Sequence, residues 1–432
     1  MEKVSNEGLV RGIRQWDLIG LTINSIIGAG IFVLPAKAFD KIGPYSLIAF
    51  VTCAVVSVLI VLCFAEVSSR FTDTGGPYRY ARVAFGPVAG FQVGWLNWLA
   101  RISAYATNCN LLVVYLGFFW PPASSGLFRA LIITVLTVTL TVINYIGVRD
   151  ATVTSNFFTI AKLLPLLVFI ATGLFFLTPA NFTLGTAPAL GSFSTTVLLI
   201  VYAFTGFENA SVPAGEIENP RRTLPIAILA AIAIVTAFYL LIQVVCIGTL
   251  VNLGDTERPL AEAANSFLGP IGASLIVAGA ITSIVGNLNV NLLSSPRIPF
   301  AMALQGELPQ KLAAVHKRFR TPHIAILLTA ALVLALTLSS SLIYALTVST
   351  IARLLAYAAT CAALPRLRHQ KDAPAAMFVL PGGIVISVIA IVLSLWLLSN
   401  STLVEARDSA IAVAAGFLIY VLYRIWKGKE QS

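Results

Sequence analysis

Long apolar runs dominate this sequence. Each is about 20 residues or longer, the length that a helix needs to cross roughly 30 Å of hydrocarbon. Two of the runs contain stretches, 133–147 and 323–338, without any Asp, Glu, Lys or Arg. A transmembrane barrel would instead show segments of about 10 residues in which apolar and polar side chains alternate. The runs therefore predict an all-α integral membrane protein.

The scarcity of charge excludes other classes of protein. Charged residues make up 11% of the 432 residues and hydrophobic residues 58%, against about 25% and about 45–50% in soluble domains. A soluble enzyme or a nucleic-acid-binding protein could not cover its surface with so few charges. The net charge of +10 is expected from cytoplasmic loops rich in Lys and Arg. The five cysteines lie in apolar runs without metal-binding spacing, so we expect no metal and no cofactor.

The apolar runs predict twelve spans. They cover 16–38, 44–68, 88–119, 127–148, 152–178, 193–215, 224–250, 270–303, 322–339, 341–364, 376–398 and 408–427. With the N-terminus in the cytoplasm, 20 of the 28 Lys and Arg residues fall in inside segments, 5 outside and 3 within spans. Because positive charge collects in cytoplasmic loops, both termini are predicted to lie in the cytoplasm, in a multi-pass protein of the cell (inner) membrane.

Glycines interrupt two of these spans. Gly28 and Gly30 flank Ala29 in the first span, and Gly206 lies beside Glu208 in the sixth. A mid-helix glycine costs roughly 1 kcal/mol, and a carboxylate at membrane depth costs several kcal/mol unless it lines a cavity or is paired. Close packing of small residues between helices is the alternative explanation for the glycines. The two sites hold the same place in two consecutive sets of five spans.

An odd number of spans makes the second set enter the membrane from the opposite side, as in inverted-repeat transporters. The predicted division is a cytoplasmic N-terminus (1–15), a first five-helix repeat (16–190), a second inverted repeat (191–364), and two further helices with a cytoplasmic C-terminus (365–432). In such proteins the paired broken helices meet at mid-membrane and form the binding site.

A broken helix leaves main-chain polar groups without partners. The N–H groups at the start of its second half carry partial positive charge and suit a carboxylate. The carbonyl groups at the end of its first half suit an ammonium group. An α-amino acid carries both groups on one carbon, so the two interruptions predict a site for amino acids.

Several short motifs follow one another along most of the chain. They are Gly28-Ala29-Gly30-Ile31-Phe32 with Pro35, Gly43-Pro44, Ala65-Glu66-Val67-Ser68, Gly75-Gly76-Pro77-Tyr78, Gly206-Phe207-Glu208, Glu218-Asn219-Pro220-Arg221-Arg222 and Gly306-Glu307-Leu308-Pro309. In this ordered set the chain resembles the amino acid–polyamine–organocation (APC) superfamily, whose members share the inverted-repeat fold of the bacterial leucine transporter. The resemblance implies a secondary amino acid transporter, not an enzyme, that works by alternating access with broken helices 1 and 6.

The resemblance also implies a set of substrate-binding residues. They are Ile26, Gly28, Ala29, Gly30, Tyr202, Phe204, Thr205, Gly206 and Asn291. The N–H groups around Ala29 and Gly30 are expected to meet the substrate carboxylate. The carbonyl groups of Ile26, Tyr202 and Thr205 are expected to meet its ammonium group.

Two ionisable residues inside spans are candidates for coupling or gating. Lys162 lies in the middle of the fifth span, where a lysine that extends to the interface is the alternative. In sodium-independent relatives a lysine here takes the place of a sodium ion, which implies that Lys162 couples transport to protons or stabilises the first interruption. Glu208 is expected either to gate or sense protons, or to be a hydrogen-bonded carboxylate at a helix end that faces water.

Other polar residues within the spans carry weaker predictions. Arg101 is expected to pair with a carboxylate or to line the outer vestibule, near Tyr105. Ser294 and Ser295 are expected to meet Lys162.

Helical spacing gives two more predictions. Glu66 lies four residues before Arg70 and is expected to pair with it. Asn287, Asn289 and Asn291 cannot all face one cavity, and Asn291 is the candidate for the substrate side chain.

Several functions remain open at this stage. The leading one is sodium-independent transport of neutral or small amino acids, by proton coupling or exchange, with the lipid bilayer and protons as its other partners. Relatives that bind cationic substrates carry Trp at the positions of Tyr202 and Asn291, which argues against a large guanidinium substrate. A cationic amino acid or polyamine antiporter is the alternative, and an intramembrane enzyme and a channel are less consistent with the motifs. The sequence leaves open whether the chain forms a homo-oligomer.

Overall fold

The computed structural model describes residues 5–339 and 342–431, without the side chains of 150, 342–350, 405 and 428–431. Its helices are α1 (Gln15–Ile26), α2 (Leu34–Ile42), α3 (Ser46–Ser68), α4 (Pro77–Phe85), α5 (Pro87–Leu116), α6 (Gly126–Ile146), α7 (Val148–Gly173), α8 (Leu190–Phe204), α9 (Pro220–Thr249), α10 (Pro259–Ser294), α11 (Arg297–Leu304), α12 (His323–Ser339), α13 (Leu342–His369), α14 (Gly383–Ser399) and α15 (Leu403–Gln431).

The prediction of an all-helical membrane protein is confirmed. In the described part of the chain the sole extended pairing is an isolated bridge between Ile13 and Ile217. Seven described segments are long and apolar enough to cross a membrane, and two shorter apolar helices, α12 and α14, accompany them. The layout of twelve spans stays a prediction.

The predicted spans and the observed helices differ at informative places. The first predicted span covers α1, an interruption at 27–33 and most of α2. The eighth was expected to begin at 270, whereas α10 begins at Pro259 and continues through a kink at Gly269, whose φ is +67°. A glycine accepts this backbone conformation without a Cβ clash, so the helical turns from Pro259 and the predicted span form one bent element.

The broken helices lie at the centre of the bundle. Helix α1 packs against α7, α9 and α10, while α8 packs against α2 and α3. Helix α5 contacts α10, α12 and α13 on another side. The outer faces of α6, α7, α14 and α15 expose large apolar side chains, as contact with lipid requires.

A buried ion pair joins the chain after α8 to α11. Arg297 Nε and Nη2 each donate to one carboxylate oxygen of Glu216, both at 2.8 Å, and neither side chain is exposed. This two-bond geometry is the strong form of an arginine–carboxylate pair.

Breaking that pair is expected to destabilise the fold. The substitution Arg297→Met leaves Glu216 buried without its cation, which costs about 3–5 kcal/mol. Denaturant unfolding in detergent measures the loss. The double substitution Arg297→Met, Glu216→Leu removes both charges and should recover most of it. A single variant as stable as the unmodified protein would contradict the prediction.

The N-terminal segment ties the two broken helices together. The N–H of Ile13 donates to the carbonyl of Glu216 at 3.0 Å, and the N–H of Glu218 donates to the carbonyl of Ile13 at 2.9 Å. Nearby, the Glu7 carboxylate accepts the backbone N–H of Thr74 at 3.0 Å. Burial raises the pKa of Glu7 above its ordinary value of 4.5, although its hydrogen bonds to Thr74 oppose the shift.

Docking of this segment is therefore expected to depend on pH. Because the pKa of Glu7 is raised by docking, the contact is strongest below pH 4.5 and weakens as the pH rises through the raised value. The variant Glu7→Gln stays neutral and should lose this dependence. Hydrogen exchange of residues 5–13, corrected for intrinsic rates, measures it, with the exposed Glu257→Gln as control. Equal pH profiles for Glu7→Gln and the unmodified protein would refute the link.

Candidate functional site

The first interruption exposes main-chain donors. Helix α1 ends at Ile26, and Ile27 turns to an extended conformation with φ −75° and ψ 91°. A short 3-10 turn, Gly30–Phe32, follows before α2 begins. Among the residues that the structure describes, no acceptor receives the N–H groups of Ala29, Gly30 and Ile31. These three donors are free to bind an anion.

The second interruption touches the first. Helix α8 ends at Phe204, Thr205 is extended, and Gly206 takes φ +114°. A Cβ at Gly206 would lie 2.5 Å from the carbonyl oxygen of Ser25 in α1. The Ser25 hydroxyl donates to the carbonyl of Gly206 at 2.9 Å and accepts a short hydrogen bond from Asn209. The two breaks thus form one main-chain junction.

A small cavity lies at this junction. Its lining consists of Ser25, Ile26, Gly28, Ala29, Gly30, Ala104, Asn108, Tyr202, Ala203, Thr205, Asn209, Asn287, Asn291 and Arg353. The volume is about 20 Å³, which is close to the space that one water needs. An amino acid is far larger, so the cavity in this conformation is too small to hold a substrate.

The structure brings most of the predicted binding residues to this cavity. Those that line it are Ile26, Gly28, Ala29, Gly30, Tyr202, Thr205 and Asn291. Phe204 lies outside this lining, because its ring packs against Tyr239 with centroids 5.1 Å apart. Two residues on a helix separate Tyr202 and Phe204 by about 200°, so the two side chains face opposite directions. Gly206 lies behind the lining, against Ser25.

Sequence reasoning missed several lining residues. They are Ser25, Ala104, Asn108, Ala203, Asn209, Asn287 and Arg353. Asn287 could have been found, because it precedes Asn291 by one helical turn and shares its face. Asn289 points away, as the spacing predicts: its amide donates to the carbonyl of Ala151 at 2.9 Å.

Lys162 donates hydrogen bonds to the backbone at the first interruption. Its ammonium group donates to the carbonyl oxygens of Asn24 at 3.2 Å, Ile27 at 2.5 Å and Ser283 at 3.3 Å. The side chain is fully buried. Lys162 therefore does not extend to the interface, and it joins α7 to α10 and to the end of α1.

The expected contacts of Ser294 and Ser295 with Lys162 are wrong. Both serines lie about 16 Å beyond Ser283 along α10. The Ser294 hydroxyl accepts a hydrogen bond from Arg101 Nη1 at 2.8 Å, and the Ser295 hydroxyl donates to Asn291 at 2.8 Å.

Arg101 and Tyr105 lie outside the lining. Arg101 Nε donates to Asn97 at 3.0 Å, and within the described residues it forms no ion pair, so the expected carboxylate partner is absent there. The Tyr105 hydroxyl lies 3.1 Å from Thr137 Oγ1 in α6.

Glu66 keeps its predicted partner. It lies 3.1 Å from Arg70, which confirms the predicted pair. It also accepts two hydrogen bonds from Arg368.

Glu208 faces protein groups and not water. Its Oε2 accepts the N–H of Gly206 at 2.9 Å and the hydroxyl of Tyr357 at 2.6 Å. Its Oε1 lies 3.5 Å from Arg353 Nη1, and the residue is only 1% exposed. The carboxylate is thus held by the second interruption and by α13.

Comparison with known proteins adds independent information. A family model described as amino acid permease matches residues 13–423. The serine/threonine exchanger SteT of Bacillus subtilis is 30% identical over 99% of both chains. A methylthioribose transporter of Bacillus subtilis is 27% identical over 97% of this chain and 94% of its own. Cationic amino acid transporter 4 of Mus musculus is 29% identical over 87% of this chain and 62% of its own.

Proposed function

We propose that this chain, which belongs to the amino acid permease family, is a secondary active transporter of neutral or small amino acids that works by alternating access. Permease relatives and apolar helices make it a multi-pass membrane protein. We further propose the inverted-repeat layout: 16–190 and 191–364 are the two repeats, α14 and α15 follow them, and both termini lie in the cytoplasm.

The junction of the two interruptions is the observation that carries this proposal. The free N–H groups of Ala29, Gly30 and Ile31 offer partial positive charge to a carboxylate. On the opposite break, the Thr205 carbonyl accepts no hydrogen bond among the described residues and suits an ammonium group. One α-amino acid satisfies both sets of groups.

Two cavities support alternating access. The closed cavity at the junction holds about 20 Å³. A cleft of about 440 Å³ opens at the N-terminal end of α1, lined by residues that include Arg14, Asp17 and Arg149. We propose that movement of α1 connects the cleft to the junction and enlarges the site.

Lys162 fits a sodium-independent mechanism. Its ammonium group occupies the position between three carbonyl groups where a cation would otherwise balance their charge. We propose that it either stabilises the first interruption or exchanges a proton during transport. Glu208, held between Gly206, Tyr357 and Arg353, is the proposed gating group.

The alternative of a cationic substrate finds less support at the site. Two intramembrane acids are candidates to meet a second positive charge. Arg353 and Tyr357 already engage Glu208, and two arginines already pair with Glu66. Because the chain is similar to cationic amino acid transporter 4, the uptake test also includes cationic amino acids.

Uptake by the purified protein in liposomes tests the proposal. Labelled neutral, cationic and acidic amino acids, a polyamine and methylthioribose are offered with and without a pH gradient. We expect saturable uptake of small neutral amino acids. Saturable uptake of the polyamine or of methylthioribose alone would overturn the proposed substrate class, and uptake of no solute would overturn the transport function.

A further inference from the structure

Among the residues that the structure describes, Arg353 is the one charged side chain that lines the cavity at the junction. It comes from α13, far along the chain from both interruptions, and is only 5% exposed. We propose that Arg353 selects substrates: it favours small amino acids whose side chain carries an oxygen acceptor and disfavours those with a cationic side chain. This inference rests on the proposed transport function and names its substrate class.

The guanidinium group of Arg353 is only partly engaged in hydrogen bonds. Its Nη1 donates to Thr205 Oγ1 at 2.8 Å and lies 3.5 Å from Glu208 Oε1. Its buried Nε has no partner within the described part of the protein. Arginine offers five N–H donors in a planar fork, and the Nε donor stays unused at a residue that lines the cavity.

Glu208 forms an ion pair with Arg353 without accepting a hydrogen bond from it. Its Oε1 accepts no hydrogen bond among the described residues, since 3.5 Å with this geometry gives an ion pair alone. Tyr357 and the N–H of Gly206 satisfy Oε2 instead. The carboxylate therefore balances the charge of Arg353 while leaving its Nε donor available to a substrate.

Three other polar residues of the lining donate hydrogen bonds within the protein, while the amide oxygens of Asn108 and Asn209, unpartnered among the described residues, can only accept. Asn287 donates to the carbonyl of Ser25 at 2.6 Å, and Asn291 donates to the carbonyl of Arg101 at 3.2 Å. Thr205 Oγ1 donates to the carbonyl of Tyr202 at 2.8 Å. A substrate side chain that enters this space thus meets Arg353 as the strongest remaining donor.

The energetic consequence is selectivity for an oxygen atom. A hydroxyl or carboxylate accepts a charge-assisted hydrogen bond from Arg353. A side chain of equal size that ends in a methyl group leaves the buried donor unpaired, and such sites reject the analogue strongly. A cationic side chain meets like charge at low dielectric.

The test compares pairs of inhibitors of equal size. In liposomes, serine and α-aminobutyrate, which differ by a hydroxyl in place of a methyl, compete with uptake of a labelled neutral amino acid. We expect serine to inhibit at least about tenfold more strongly, and we expect 2,3-diaminopropionate to be a poor inhibitor. In the double variant Arg353→Met, Glu208→Gln, which leaves no unpaired carboxylate, the serine preference should fall to within about threefold.

Three controls separate the possible causes. Glu208→Gln alone should keep the preference, because Arg353 remains. Arg407→Met removes an arginine that is 66% exposed and should change nothing. If the double variant does not reach the membrane, or reaches it without uptake because Glu208 is the gating group, Arg353→Lys is measured in its place; it should reduce the preference for serine and still exclude diaminopropionate.

Two results overturn the inference. One is uptake of neutral amino acids in which serine and α-aminobutyrate inhibit equally. The other is a serine preference that survives the change at Arg353. Uptake of no amino acid would instead overturn the proposed function, so the two failures are distinguishable.

Discussion

The substitution Gly206→Ala is expected to abolish transport. Gly206 holds a φ of +114°, where an added Cβ would lie 2.5 Å from the carbonyl oxygen and 2.9 Å from the carbonyl carbon of Ser25. The left-handed conformation alone costs a residue with a Cβ about 1–2 kcal/mol. Both clashing atoms belong to the backbone of α1, so the two interruptions must separate. Initial uptake rates in liposomes measure the effect.

A glycine of α8, the helix that ends just before the second interruption, supplies the control. Gly191 has no heavy atom within 4 Å of the position of an added Cβ, so Gly191→Ala should transport like the unmodified protein. Gly206→Ala with an unaltered rate and KM would show that close contact between the breaks is dispensable.

Lys162→Ala is expected to lower the transport rate at least about 100-fold. The change removes a buried charged donor to the carbonyl groups of Asn24, Ile27 and Ser283, and a hydrogen bond to a charged group is worth about 1.5–3 kcal/mol. The first interruption then loses its defined geometry. Rates are measured from pH 5 to 8, about the range in which a proton-coupled step is sought, and Lys41→Ala, at an exposed lysine, is the control.

The pH profile separates the two proposed roles of Lys162. If the lysine only positions the backbone, residual uptake keeps the shape of the original profile. If it carries the coupled proton, the residual uptake no longer responds to a pH gradient. Full uptake with an unchanged profile would reject both roles.

The sequence predicts the framework of the site because local rules govern it. Runs of about 20 apolar residues predict helices, and the glycines at 28, 30 and 206 mark where α1 and α8 stop. A charge at membrane depth needs polar partners, but only the resemblance to sodium-independent relatives placed Lys162 near the first break.

What the sequence could not predict is the rotation of each helix and the depth of its side chains. Phe204 was expected in the site although it faces Tyr239, and Ser294 was placed three turns too near Lys162. Helical spacing fixes which residues share a face, but the neighbouring helices decide where that face points. Arg353 carried the same signal as Lys162, a lone charge within an apolar run, and its neighbours Thr205 and Glu208 are distant in sequence.

Competition by substrates that lack one charged group tests most directly whether main-chain groups of the two breaks hold the zwitterion. The accepted amino acid, its methyl ester and its N-acetyl derivative compete with labelled substrate for uptake. The ester lacks the carboxylate for the N–H groups of Ala29–Ile31, and the acetyl derivative lacks the ammonium group for the Thr205 carbonyl. We predict that each inhibits at least about 100-fold more weakly than the parent, since charge-assisted bonds are worth about 1.5–3 kcal/mol each. Inhibition by either derivative as strong as that of the parent would contradict the account.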